Sequence, residues 1–258
     1  MKKQLLTLGV TLVLFAVFFT GCMENNNPKN GDMRLINTEF LGGTYNVSIL
    51  HLQNYFDGTW SDNTEIKYTK NGEEHQGWYL ESLKATFDWV KTNTSENCTI
   101  LCWWDFARMI EGYAERNVVA RSGSLAIIDS IAIYGSLDEE GKKKFIEENE
   151  WTSNETIQEL AMVLTTTNIS SNETRAIIQK YNVSYIFTTY YDKLISRIFL
   201  NAAGKNADEY MTDGIPNEKC NETLIFKMWN DNPEISGLEL IYHQNLDDGR
   251  VVRIFKFV

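Results

Sequence analysis

Apolar positions recur along this chain at two spacings, and the points where one gives way to the other mark its elements. From Tyr45 to Leu52 the pattern alternates in part, Val47, Ile49 and His51 against Ser48, Leu50 and Leu52, as a half-buried strand does. Lys70-Asn71-Gly72 then reads as a tight turn. Leu80, Leu83, Phe87 and Val90 share one face of a helix running from Leu80 to Val90. Thr99 to Trp103 is a short apolar run fit for a buried strand, and Phe106, Met109, Ile110 and Tyr113 return to the helical spacing. Ser124 to Leu137 forms a further helical stretch through Ile127, Ile128, Ile131 and Tyr134. Asp138 to Glu150 is charge-rich and fits a solvated continuation or a loop.

Thr152 with Glu155, and Ser170 with Glu173, have the spacing at which a hydroxyl and a carboxylate cap a helix start. The first helix buries Ile157, Leu160, Ala161 and Leu164, the second Ile177, Ile178 and Tyr181. Val183 to Thr188 is a buried strand, and Lys193 to Ala203 a helix with Leu194, Ile195, Ile198 and Phe199 inward. Thr223 to Trp229, Leu238 to Tyr242 and Val251 to Phe257 read as three terminal strands, with Asp247-Asp248-Gly249 turning between the last two. These elements predict a mixed α/β fold: helices around a central sheet, a β-rich C-terminal end, and a signal or anchor segment in front.

That segment is residues 1–22. Lys2 and Lys3 precede an apolar run from Leu5 to Phe19, and Thr20-Gly21-Cys22 closes it. A small pair before Cys resembles a lipobox, in which Cys22 would carry lipid; Phe19 is unusual there, so a short uncleaved anchor is the other reading. Either places the remainder at the outer face of the cytoplasmic membrane. Residues 23–33 are a polar tether, 34–77 a mixed N-terminal extension, and 78–258 the globular domain. Aromatic residues at 12% and apolar residues at 43% argue a folded chain. A net charge of −11 argues against nucleic acid as a partner.

The chemistry gathers where the strand at Thr99 meets the helix after it. Trp103, Trp104 and Asp105 stand at that junction, a common place for ligand sites in α/β folds. Two indole N–H donors, one carboxylate acceptor and two water-excluding rings would suit a hydroxyl. The plainer reading makes Asp105 a helix cap, its loss costing about 0.5–2 kcal/mol, and the tryptophans core. Asp105 with Glu111 is the nearest carboxylate pair for a hydrolase, though both also fit a cap and a surface residue. His51 and His75 lack a second ligand at metal spacing, so no metal and no cofactor is expected.

Export permits a disulfide. Cys98 and Cys102 would lie about 13 Å apart in one strand, too far to bridge; either could pair with Cys220, or all could be free thiols. Asn46, Asn93, Asn97, Asn154, Asn168, Asn172 and Asn221 begin Asn-x-Ser/Thr sequons open to glycosylation. Asn182 begins another, but it opens a strand expected to be buried.

The stretch from Trp78 to Ser124 resembles the extracytoplasmic C-terminal domain of archaeal-type oligosaccharyltransferase catalytic subunits, the enzymes of N-glycosylation. A helix carrying Glu81-Ser82-Leu83 leads to a strand and then to Trp103-Trp104-Asp105, matching the family's WWDYG motif. Phe106 stands for its Tyr and Ala107 for its Gly, which permits backbone angles that Ala resists. The segment IIQKYNVSYIFTTYYDK and the terminal GLELIYHQNLDDGRVVRIFKFV extend the resemblance to Val258. It implies that Trp103, Trp104 and Asp105 hold the Ser/Thr of an acceptor sequon, with Lys193 and Ile198 as weaker counterparts of the family's second motif. The family's multi-span catalytic region has no counterpart in this sequence. The expected role is therefore acceptor binding or assistance to a membrane oligosaccharyltransferase subunit, without catalysis by this chain alone. The alternative is a structural cell-surface lipoprotein that kept the fold and lost the pocket.

Overall fold

The computed structural model describes residue 28 and residues 32–130, 132–247 and 249–258. The proposed signal segment with Cys22, most of the tether, Ile131 and Asp248 lie outside the described residues. The contacts divide the chain into two compact units. One comprises the described residues up to Ile36 together with Leu52–Asn63. Within it Arg34 lies over the Trp60 ring at 4.3 Å and donates to Gln53, whose amide donates to Asp62 at 2.7 Å. Tyr55 meets Trp60 edge-on at 5.3 Å.

The other unit comprises Asn37–His51 and Thr64–Val258. Strands β1 (Met33–Gly42), β2 (Val47–Phe56), β3 (Thr59–Lys70) and β4 (Glu73–Trp78) form a sheet in that order. The turn expected at Lys70 joins β3 to β4, with Asn71 and Gly72 both at positive φ, as a tight hairpin turn requires. After a 3-10 turn at Glu81–Leu83 come α1 (Lys84–Asn93), β5 (Thr99–Leu101), α2 (Trp104–Gly112) and β6 (Asn117–Val118). A second sheet has the order β10-β11-β7-β5-β6, with β7 at Val183–Thr189, β10 at Leu238–Asn245 and β11 at Val251–Phe257. In it β5 runs parallel to both β6 and β7, while β11 is antiparallel to β7 and to β10. A short pair, β8 (Met211–Thr212) and β9 (Ile215–Pro216), forms a third.

This second sheet separates two cores, which is why its strands read as unbroken apolar runs. Leu101, Ile186 and Phe255 face one core; Ile100, Phe187 and Ile254 face the other. The first is completed by α5 (Asn154–Leu164) and its neighbours, the second by α1, α2 and the inner residues of β2 and β3. Gly112 makes the close approach of α2 to β3: a Cβ there would lie 2.6 Å from Tyr68 Cδ1.

Several expected elements differ. The stretch expected as one helix from Ser124 holds a 3-10 turn at Leu125–Ser130 and α3 (Ala132–Gly135). The charge-rich stretch is a helix, α4 (Glu139–Glu148), with the Asp138 carboxylate accepting from the Gly141 N–H at 2.7 Å. Ion pairs such as Lys142–Glu139 run along it, so a cap and local pairs support a helix that buries no residue. α5 and α6 (Asn172–Lys180) are capped one residue later than expected, by Ser153 and Ser171. The helix from Lys193 breaks at Ile195 into α7 (Tyr190–Leu194) and α8 (Ser196–Ala202). α9 is Glu218–Asn221, and the expected strand at Thr223 is α10 (Leu224–Lys227). Leu224, Ile225 and Phe226 are all buried, and a run buried on every side carries no period to tell helix from strand. Asn182 is exposed, at φ 51° in the turn before β7, so its sequon is not sequestered in the strand.

Candidate functional site

Adjacent parallel strands β5 and β7 each lead into a helix whose first turn carries a carboxylate, Asp105 in α2 and Asp192 in α7. First-turn N–H groups lack intrahelical acceptors, so negative side chains favour this position. Asp192 is buried and accepts from the Thr189 N–H at 2.7 Å and the Thr188 hydroxyl at 3.1 Å; its Oδ1 is unpartnered. Burial, with a smaller contribution from the Asp105 charge, raises its pKa to about 7.

Asp105 does not cap its helix. The N-cap of α2 is Trp103, which makes no side-chain bond, and Asp105 makes no hydrogen bond among the described residues. Burial raises its pKa to about 6. Part of its surface still reaches solvent, but that surface lines a cavity of about 230 Å³. Its walls are Trp104, Asp105 and Arg108 from α2, Gly77 and Trp78 from β4, residues 121–123, and Phe145 with residues 149–151. Gly77 lets Arg108 lie against the strand, for a Cβ there would stand 2.8 Å from Arg108 Cγ.

Apart from Asp105, the cavity's charged groups are spent on one another or on neighbours behind the wall. Glu150 binds Arg108 at 2.8 Å, Arg121 at 3.6 Å and His75 at 3.4 Å. Arg121 also donates to Glu111 at 2.6 Å. Glu111 is buried, not a surface residue as one reading expected, and it accepts from Tyr68 and Lys70 at 2.7 Å each. Burial alone would raise Glu111, but the bonds from Arg121, Lys70 and Tyr68 outweigh it and hold the carboxyl below its usual range. Glu111 is thus committed to three donors, buried and absent from the cavity wall, which removes the Asp105–Glu111 pair as hydrolase machinery.

Trp104 and Asp105 thus share the cavity wall. Trp103 does not line it: its ring is buried in the core, 4.3 Å from Phe199 and 3.9 Å from Trp104 between centroids. Neither indole N–H of the pair finds an acceptor among the described residues. Lys193 stands over the Phe226 and Tyr190 rings at 5.2 and 5.6 Å, and Ile198 packs on the core; neither lines the cavity. Sequence reasoning missed Arg108, Arg121 and Glu150. Arg108 was findable, because it stands one turn beyond Trp104 on the same helix face; the others come from separate segments.

Cys98, Cys102 and Cys220 are free and buried. Among the described residues no group of three His, Cys, Asp or Glu could hold a metal ion, and no helix is long and apolar enough to cross a membrane. Asn46, Asn93, Asn97, Asn154, Asn168, Asn172 and Asn221 are all exposed.

No family model matches the chain. Over 61 residues it is 36% identical to dolichyl-phosphooligosaccharide-protein glycotransferase 2 of Pyrococcus horikoshii, a match covering 23% of this chain and 8% of that protein. The chain therefore spans only a small part of the length of the curated relative it matches. It is similar to the crystal structure of the C-terminal globular domain of an oligosaccharyltransferase from Archaeoglobus fulgidus, with 19% identity, 70% of this chain and 99% of that one covered, and a TM-score of 0.47. It is also similar to an Archaeoglobus fulgidus oligosaccharyltransferase tethered by a disulfide to an acceptor peptide containing the NVT sequon, with 14% identity, 66% and 24% coverage, and a TM-score of 0.45. The resemblance of this chain is to the oligosaccharyltransferase C-terminal domain.

Proposed function

We propose that this chain is an extracytoplasmic, membrane-tethered binding protein of N-glycosylation whose cavity holds the Ser or Thr hydroxyl of an Asn-x-Ser/Thr segment. The observation that carries the reading is Asp105, a desolvated carboxylate that lines a cavity and has no donor among the described residues. A hydroxyl entering the cavity supplies that donor, and a hydrogen bond to a charged acceptor is worth about 1.5–3 kcal/mol. Trp104 contributes a ring that excludes water and an indole N–H, and Trp103 positions Trp104 by packing against it at a tilt of 37°. Sugar transfer falls to a separate membrane oligosaccharyltransferase subunit, which this chain assists by binding the acceptor. Lys2, Lys3, the apolar run and Cys22 provide the tether.

The test is a comparison of Asn-x-Thr and Asn-x-Ala peptides on wild type and Asp105→Ala. Asn-x-Thr binds better by about 1.5–3 kcal/mol on wild type, and the preference vanishes in the variant. Equal binding of the two peptides to wild type defeats the reading. A structural role without ligand is favoured by Trp103 alone, whose ring is committed to the core; equal peptide binding would leave that reading standing. Metal-dependent glycosylation of a sequon peptide by this chain alone would refute the accessory role. For the tether, Cys22→Ser releases the protein or leaves an unprocessed precursor; unchanged processing and membrane association would identify a plain anchor.

A further inference from the structure

Among the cavity's walls, most polar atoms are already committed. Asn149 donates to the Phe145 carbonyl at 2.7 Å, Trp151 donates its indole N–H to the Ile146 carbonyl at 2.9 Å, and the Ser122 and Thr152 hydroxyls bond at 3.2 Å. Gln76 donates its amide to Glu65, and both arginines are paired with Glu150. Beside the Asp105 carboxylate and the Trp104 indole, the wall offers ring surface: Trp78, and Phe145 with Trp151, whose rings meet edge-on at 5.6 Å. Trp78 is 57% exposed, an unusual state for the largest apolar side chain.

The cavity, at about 230 Å³, also exceeds what a Thr side chain fills. Its occupant therefore carries one hydroxyl and, close by, a large apolar group. In an extended peptide, side chains two residues apart point the same way and stand about 7 Å apart. The residue two before a sequon Thr is the Asn itself, so the second group comes from two residues after it. We propose that Trp78, Phe145 and Trp151 form a subsite for an aromatic or large aliphatic side chain at that position, so that the chain selects Asn-x-Thr-x-Φ, where Φ is that residue. This rests on the hydroxyl site proposed above and adds a second specificity to it.

The experiment uses the full chain in nanodiscs and fluorescence anisotropy of four labelled peptides: Asn-x-Thr-x-Phe, Asn-x-Thr-x-Ala, Asn-x-Ala-x-Phe and Asn-x-Ala-x-Ala. Each is titrated onto wild type, Trp78→Ala and Trp78→Phe, with circular dichroism verifying that the variants fold; Trp78 is exposed, so neither should unfold. The expected result is that Phe over Ala tightens binding about tenfold on wild type. That gain is lost in Trp78→Ala, kept in part in Trp78→Phe, and the Thr-over-Ala preference persists in both variants. A Thr preference with no Phe preference, or a Phe preference unchanged in Trp78→Ala, overturns the subsite and leaves the hydroxyl reading intact. A Trp78-dependent Phe preference without a Thr preference keeps the subsite and overturns the hydroxyl reading. Absence of binding by all four peptides overturns both.

Discussion

Replacing Asp105 by Asn should make the folded chain more stable at neutral pH. The Asp105 carboxyl ionises near 3.8 in the unfolded chain and near 6 in the folded one, because burial disfavours the charge and nothing among the described residues hydrogen-bonds to it. Between those values the folded state holds the extra proton, so stability falls as pH rises from about 4 to about 6 and stays lowered above it. At 1.36 kcal/mol for each tenfold change in proton affinity, the charged side chain costs the native state about 3 kcal/mol at pH 7. Asn keeps the shape without the charge, and its amide can be hydrated through the open cavity. Its gain should then be about 1–3 kcal/mol at pH 7.5 and close to zero at pH 4. Asp192 titrates nearby and feels Asp105, so the informative quantity is the difference between wild type and variant at each pH, not either curve alone. Urea unfolding followed by circular dichroism at the two pH values measures it. A variant equally or less stable than wild type at pH 7.5 would show that Asp105 is solvated or partnered, and the argument for an unoccupied acceptor would fail. Stability given up at one side chain is what a binding site costs when its ligand, not the fold, completes it.

Gly112→Ala should destabilise by about 1–3 kcal/mol through overpacking against Tyr68 and Ile66, as read by chemical denaturation; a neutral result would mean that α2 shifts freely from β3. Glu111→Ala should cost about 1–3 kcal/mol by leaving the buried Tyr68 hydroxyl and the part-buried Lys70 and Arg121 without their shared acceptor. Because the folded Glu111 carboxyl sits below its usual value, its stabilisation is present above pH 4.5 and lost as pH falls below that, a slope that Glu111→Gln should flatten. Ser153→Ala should cost about 0.5–2 kcal/mol as the loss of the cap of α5; a fully neutral change there would return the capping role to Thr152.

Sequence periodicity by itself determined several of the regular elements of the larger unit, though not β4, β6 or the helix α4. The β5 and β7 strands, the α2 face at Phe106, Met109, Ile110 and Tyr113, and the hairpin turn at Asn71-Gly72 follow from spacing and backbone preference, which act within a few residues. Local patterns failed where burial has no direction or where neighbours decide. Leu224 to Phe226 is buried all round, so its sequence carries no period to tell helix from strand, and Ser153 took the cap of α5 while Thr152 turned to Ser122. The same division runs through the candidate site. Three adjacent letters drew attention to Trp103, Trp104 and Asp105, yet only tertiary packing turned Trp103 into the core and left Asp105 at the cavity. The cavity's remaining walls come from β4, the 121–123 turn and the end of α4, segments tens of residues apart in the chain. Their meeting depends on Glu150 reaching Arg108, Arg121 and His75, and no short-range pattern encodes contacts between groups 29 to 75 positions apart. Desolvation of Asp105 is likewise a property of what surrounds it, so its lack of a partner became legible only in the folded structure.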